Sequence, residues 1–261
     1  MISRRTALGL IGLLAVGACP AADSQLTAIT GIRGELRVGV VDNAIPFSYV
    51  PPGERDLAGH QVDLARQLAA DMGVRLQLIP DSMDRLVRRL GERDVDIIMA
   101  ATPVNPAMAK TAAFTRPWGY TGVLPVTLRA SASHYASWPD FRGKGLNVGF
   151  RREPPTGQFL SRLLPNAKPR VIDSTPAAIA ALVDGSIDVF FTNSIEASVM
   201  ARGDNRVAVP DMPQPASKHP LACLVHIEDA IWLHYVNTWL DLKRETGLLD
   251  ALHRKWGLRG Q

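Results

Sequence analysis

The chain has 261 residues, 46% of them hydrophobic, enough for one large or two small cores and far from the composition of a disordered chain. Its formal charge is +4, and Arg4 and Arg5 at the extreme N-terminus supply two of those positives. The remainder is nearly balanced and holds no run of Lys and Arg able to track a phosphate backbone, which argues against nucleic acid as a partner.

Residues 1–19 read as an export signal. Arg4 and Arg5 form a charged start, and Thr6 to Ala18 is an apolar stretch too short to span a bilayer as a helix. The run SRRTAL resembles a twin-arginine signal, and paired arginines also occur in ordinary secretory signals, so either export route fits. Val16-Gly17-Ala18-Cys19 resembles a lipobox, which makes Cys19 a candidate for lipidation; the alternative is a chance cysteine beside a conventional cleavage site. The other cysteine, Cys223, sits in the apolar run LACLV and is expected to be a small buried core residue.

Residues 20–34 are small and polar and read as a tether. Leu36 to Val41 is a β-branched strand followed by an Asn/Pro loop, and Val62, Leu64, Ala65, Leu68, Ala69 and Met72 recur at helical spacing up to Gly73. Val74 to Ile79 alternates as a strand, Met83 to Leu90 repeats as a helix, and Val95 to Ala100 is an apolar strand. This βαβαβ pattern then recurs: strands at 146–150, 170–172 and 189–192, with helices at 156–164 and 175–184 between them. Extended runs near Leu124–Leu128 and Leu221–Val225 carry the chain across and back, and Asp229 to Trp256 reads as two helices interrupted at Gly247. The fold class is therefore α/β, with lobe one at 35–125 plus 222–261 and lobe two at 126–221. Each lobe is expected to keep its own sheet, with a ligand cleft between the lobes and two hinge crossings.

Five segments in order resemble bacterial extracellular solute-binding proteins of family 3, whose best-known members bind polar amino acids. They are LRVGVVDNAIPFSY, GHQVDLARQLAADMGV, RLGERDVDIIMAATPVNPAMAKTAAFTRPWGYTG, FRGKGLNVGF and VNTWLDLKRETGLLDALHRKWG, covering about 35–258. The resemblance implies a two-lobe, type II periplasmic-binding-protein-like fold. It also implies a cleft wall that includes Asp42, Met83, Ala101, Thr102 and Met108 from lobe one and Arg151, Thr192 and Asn193 from lobe two.

Three departures stand out. Where relatives place a carboxylate-clamping arginine, alignment on Lys110 and Phe114 puts Met108, which offers only soft apolar contact. Where they present an aspartate to the ligand's ammonium, this chain has the neutral Asn193, and their Gly-Thr loop is replaced by Glu153-Pro154, where proline cannot donate. Arg151 is the best replacement cation, with a solvated surface arginine as the alternative. The six histidines (60, 134, 219, 226, 234 and 253) lack metal-site spacing, so no cofactor or metal is expected.

The reading that follows is a monomeric, periplasmic receptor for a small polar or organic solute, serving an inner-membrane ABC permease, with the amino-acid clamp lost. A binding fold turned partner of a periplasmic enzyme or sensor is the alternative. An enzyme is not expected: GxSxG, P-loop, HExxH and CxxC are missing, as is the anion clamp that a dehydratase acting on prephenate-like acids would need.

Overall fold

The computed structural model describes residues 24–142, 145–151, 154–165, 169–212 and 215–258; the expected signal with Cys19, and Glu153, lie outside them. The chain enters as α1 (Gln25–Thr27), which continues as a π-helix over Ala28–Arg33. Part of the expected tether is thus helical and packed. Ser24 Oγ donates to Asp229 Oδ1 at 2.9 Å, the Gln25 N–H donates to Asp229 Oδ2 at 2.7 Å, and Ile29 is fully buried. One apolar residue and one buried carboxylate suffice to dock a segment whose average composition is polar.

The first βαβαβ unit is β1 (Glu35–Val41), α2 (His60–Met72), β2 (Arg75–Asp81), α3 (Met83–Gly91) and β3 (Ile97–Pro103). Its strands are parallel in the order β2-β1-β3. α2 buries the apolar stripe anticipated from its spacing and stops at Gly73, whose φ of 67° is the left-handed conformation that glycine adopts without steric cost. After β4 (Ala112–Phe114), β5 (Gly119–Leu128) leads to the second unit: β6 (Val148–Phe150), α4 (Pro154–Leu163), β7 (Arg170–Val171), α5 (Thr175–Val183) and β8 (Val189–Asn193). These strands are parallel in the order β8-β6-β7. α6 (Ser194–Gly203) and β9 (Val207–Ala208) follow, then β10 (Ala216–His226), and α7 (Ala230–Glu245) and α8 (Leu248–Trp256) close the chain.

The expectation of two separate sheets is corrected. β5 and β10 are long enough to pair antiparallel with each other and with their neighbours on either side, so one ladder runs β2-β1-β3-β10-β5-β8-β6-β7. The lobes are distinguished by their cores. In the first, Val38, Leu64, Ile97, Trp232 and Leu240 pack on one face of the sheet, and Leu86, Ile98 and Leu224 on the other. In the second, Leu182 and Phe190 belong to one cluster and Phe141 and Phe191 to another. Successive residues of β3 and β8 are therefore buried on opposite faces, which explains why those strands read as continuous apolar runs.

Candidate functional site

A cavity of about 450 Å³ opens between the lobes where the crossing strands pass. That volume lies within the range of small-molecule sites. Its floor is one face of the sheet. The side-chain period of two puts Ala101 and Pro103 of β3 on that face, beside Leu221 and His219 of β10 and Thr121 of β5. Phe47, from the loop after β1, walls it on one side, with Thr156 of α4, Asn193 at the end of β8 and Ile195 of α6 facing from the second lobe.

The Phe47 wall is fixed from behind. Gly59 has a φ of 138°, and a Cβ there would lie 2.1 Å from the Phe47 carbonyl oxygen, so the loop closes tightly only over glycine. Under Phe47 lie the fully buried His60 and Trp118, and His60 stacks on His253 with ring centroids 5.1 Å apart. His60 Nε2 and His253 Nε2 have no hydrogen-bond partner. Burial, and for His60 also the neighbouring His253, lower their pKa values to about 3 and about 4; the carboxylates of Asp63 and Asp250 only partly oppose this.

Of the eight residues expected in the wall, Ala101 and Asn193 line this cavity. Thr102 alternates to the other face of β3, buried, with Oγ1 unpartnered. Met83 and Met108 pack against the cluster of Leu86 and Ile98. Asp42 is exposed just past β1, its N–H donating to the Asp81 carbonyl at 3.2 Å.

Arg151 and Thr192 converge on a residue that sequence reasoning missed. Arg151 forms an ion pair with Glu196 through Nη2, donates to it again from Nε at 3.1 Å, and donates to the Ile172 carbonyl at 3.1 Å. Thr192 Oγ1 and Thr175 Oγ1 also donate to Glu196. Burial pushes the Glu196 carboxyl up, but the bonds from Arg151, Thr175 and Thr192 outweigh it and hold the group below its usual range. The charge of Arg151 is thus answered inside the second lobe. The spacing Asn193-x-x-Glu196 at a helix start is a capping pattern, and it was the available signal for Glu196. Asn193 Oδ1 does accept from the Ile195 and Glu196 N–H groups, at 3.1 and 2.9 Å.

The cavity wall is accordingly apolar, with Thr121, Thr156, Asn193 and His219 as its polar members and His219 as the one ionisable group among the described lining residues. Thr156 is buried with an unpartnered Oγ1 in the first turn of α4. No group of three or more His, Cys, Asp or Glu among the described residues could hold a metal ion, and no described helix is long and apolar enough to cross a membrane.

Among known proteins, the cyclohexadienyl dehydratase of Pseudomonas aeruginosa is 28% identical over 96% of this chain and 92% of its own. A solved ancestral cationic amino-acid solute-binding protein superposes with a TM-score of 0.75 at 28% identity, covering 89% of this chain and 99% of its own. An ancestral cyclohexadienyl dehydratase gives a TM-score of 0.70 at 28% identity, covering 90% of this chain and 97% of its own. These likenesses overturn the expectation that the chain is not an enzyme. A dehydratase of this fold needs a proton donor facing its ligand, not a local sequence motif, so missing motifs exclude nothing here. The family model of bacterial extracellular solute-binding proteins, family 3, matches residues 36–259, and the chain belongs to that family.

Proposed function

We propose that the chain is a periplasmic receptor that closes its two lobes around a small, largely apolar solute bearing at most one charge, and passes it to an inner-membrane ABC permease. The observation that carries this reading is the wall of the interlobe cavity, whose described lining residues include no Arg, Lys, Asp or Glu. A zwitterionic amino acid would lose hydration at both ends there, at several kcal/mol per unpaired charge. Arg151, the replacement clamp suggested by the sequence, is engaged by Glu196, and Met108 sits in a core cluster. Export through residues 1–19, anchoring through a lipid on Cys19 and a monomeric state complete the proposal.

A second reading, a dehydratase acting in the same cleft, is favoured by the relative's name and the like-named ancestral structure. A binding fold serving a periplasmic enzyme or sensor requires no solute at all. The test is calorimetric titration of protein unfolded and refolded to strip bound ligand, against the twenty amino acids, neutral solutes and monoacids, alongside an assay for water elimination from hydroxylated cyclohexadienes. Micromolar binding of an ordinary α-amino acid overturns the reading. Turnover replaces receptor by dehydratase, and the lack of any bound solute leaves the partner role.

A further inference from the structure

β10 carries one residue too many. Ala216 pairs with Val123 of β5 and His219 with Thr121, so three steps on β10 oppose two on β5. This is a β-bulge, a device that re-aims a side chain and recurs beside functional sites. Two features hold it in place. Ser217 takes a φ of 49°, the left-handed region that a non-glycine residue enters at a cost of about 1 kcal/mol or more. Opposite it, Gly122 leaves room for the bulged strand: a Cβ there would lie 2.6 Å from the Ala216 carbonyl oxygen and 2.8 Å from Pro215 Cβ.

Without the extra residue, every side chain before the bulge on β10 would exchange faces relative to β5. His219, just past the bulge, lies on the cavity face together with Leu221, two residues further on, and Thr121. The residue before it, Lys218, is directed over the Tyr120 ring at 5.8 Å. A strained bulge immediately beside a cavity-lining side chain invites a functional explanation.

We propose that His219 is a ligand-contacting residue of the interlobe cavity, and that it selects a small monocarboxylic acid with an apolar body. The proposal rests on the receptor reading above and names the ligand class for that cleft. The remaining polar features of the wall point the same way. Thr156 Oγ1 is buried and unpartnered in the first turn of the ten-residue α4, whose N-terminal end is the positive end of its dipole; α4 packs against both β5 and β10. By contrast, the N-terminus of α6 is already capped by Asn193. An imidazole, which can donate and can carry positive charge, a hydroxyl and a helix N-terminus all favour an anion, and nothing among the described lining residues offers a counter-charge to a cation. Phe47, Ala101, Ile195 and Leu221 supply the apolar surface for the ligand's body.

Beside His219, β10 itself carries Lys218 and His226. β3 and β4 contribute no ionisable side chain, β5 contributes Tyr120, and α4 contributes Arg162. The charges of α3 (Asp84, Arg85, Arg88 and Arg89) belong to the element that packs near Leu224, at the far end of β10.

The experiment titrates ligand-stripped protein with benzoate and phenylacetate, and with benzamide as the neutral isostere. The acids are expected to bind at least about tenfold more tightly than the amide. His219→Gln should abolish the preference while leaving the melting temperature unchanged, since the side chain is only partly buried and makes no hydrogen bond among the described residues. Equal affinity for acid and amide, or a His219→Gln protein that behaves as the parent, overturns the proposal. If neither acid binds at concentrations on the order of 10 mM while other solutes do, the ligand class falls and the receptor reading stands. If no solute of any class binds, both fall.

Discussion

The stacked histidines beneath Phe47 make a quantitative prediction about acid stability. In the folded chain His60 and His253 have pKa values lowered to about 3 and about 4, against 6.5 when unfolded. Between those limits the unfolded chain binds protons that the folded chain refuses, so stability falls as the pH drops below 6.5. At 1.36 kcal/mol per proton per pH unit, moving from pH 7.5 to pH 5 removes about 2 kcal/mol for each histidine and about 4 kcal/mol for the pair. The result is insensitive to the folded values themselves, because at pH 5 both rings are already neutral in the fold. It is also separable from the carboxylates. The shifted ones (Asp63, Asp71, Asp81 and Glu196 among them) have lowered pKa values and release their stabilisation only at more acidic pH. A loss of about 4 kcal/mol is a large fraction of the 5–15 kcal/mol typical of a domain. Urea denaturation at half-unit pH steps measures it directly. A His60→Gln variant should lose about half of the slope, and His60→Gln with His253→Gln nearly all of it. A flat profile between pH 7.5 and 5 in the parent, or an unchanged slope in the double variant, would refute the assignment of two neutral buried imidazoles.

Two further outcomes follow from groups outside the cavity. Arg151→Ala leaves Glu196 without its cation in a site about one-sixth exposed, and should lower stability by about 2–3 kcal/mol in urea denaturation. Adding Glu196→Gln should recover part of that loss, because the penalty is an unpaired charge and not a lost contact. Burial pushes the Cys223 thiol up to about 12, and its N–H is tied to Thr115 Oγ1 at 3.0 Å. Mass spectrometry after treatment with a thiol reagent should therefore find the Cys223 peptide unmodified in native buffer and fully modified in denaturant.

The fold was legible because its elements obey local rules. The α2 stripe ending at Gly73, the Pro176 start of α5 and the Gly247 break are each set by a few neighbouring residues. The continuous ladder was not legible, because it depends on β5 and β10 meeting across about ninety residues of intervening chain. The helical stretch from Gln25 to Arg33 escaped because its anchor, Asp229, lies two hundred residues away. The site was the least legible part for a related reason. Which residues of β3 face the cleft is a question of parity, and an alignment over Ala101 to Met108 does not say that Thr102 turns away while Ala101 and Pro103 turn inward. Arg151 carried a visible charge, but its partner Glu196 emerged only from tertiary structure. His219 looked like one of six scattered histidines because its place on the cavity face depends on how β10 pairs with β3 and β5, which is a property of several strands.

A receptor and a dehydratase ask similar things of one cleft. A sheet hinge and two lobes supply a cleft that excludes water when closed, and they do so whatever the chemistry inside. Binding a monoanion asks for one cationic or donating group beside an apolar wall; eliminating water asks for one proton donor aimed at a leaving oxygen. His219 is the one ionisable group among the described lining residues, so a proton donor in this cavity would be His219, since Glu196 is held ionised by Arg151 and is not among them. Replacing His219 therefore divides the outcomes by what changes. A loss of affinity with no turnover in the parent marks a receptor. A loss of turnover with affinity retained marks a catalyst, because it removes an interaction made only in the transition state.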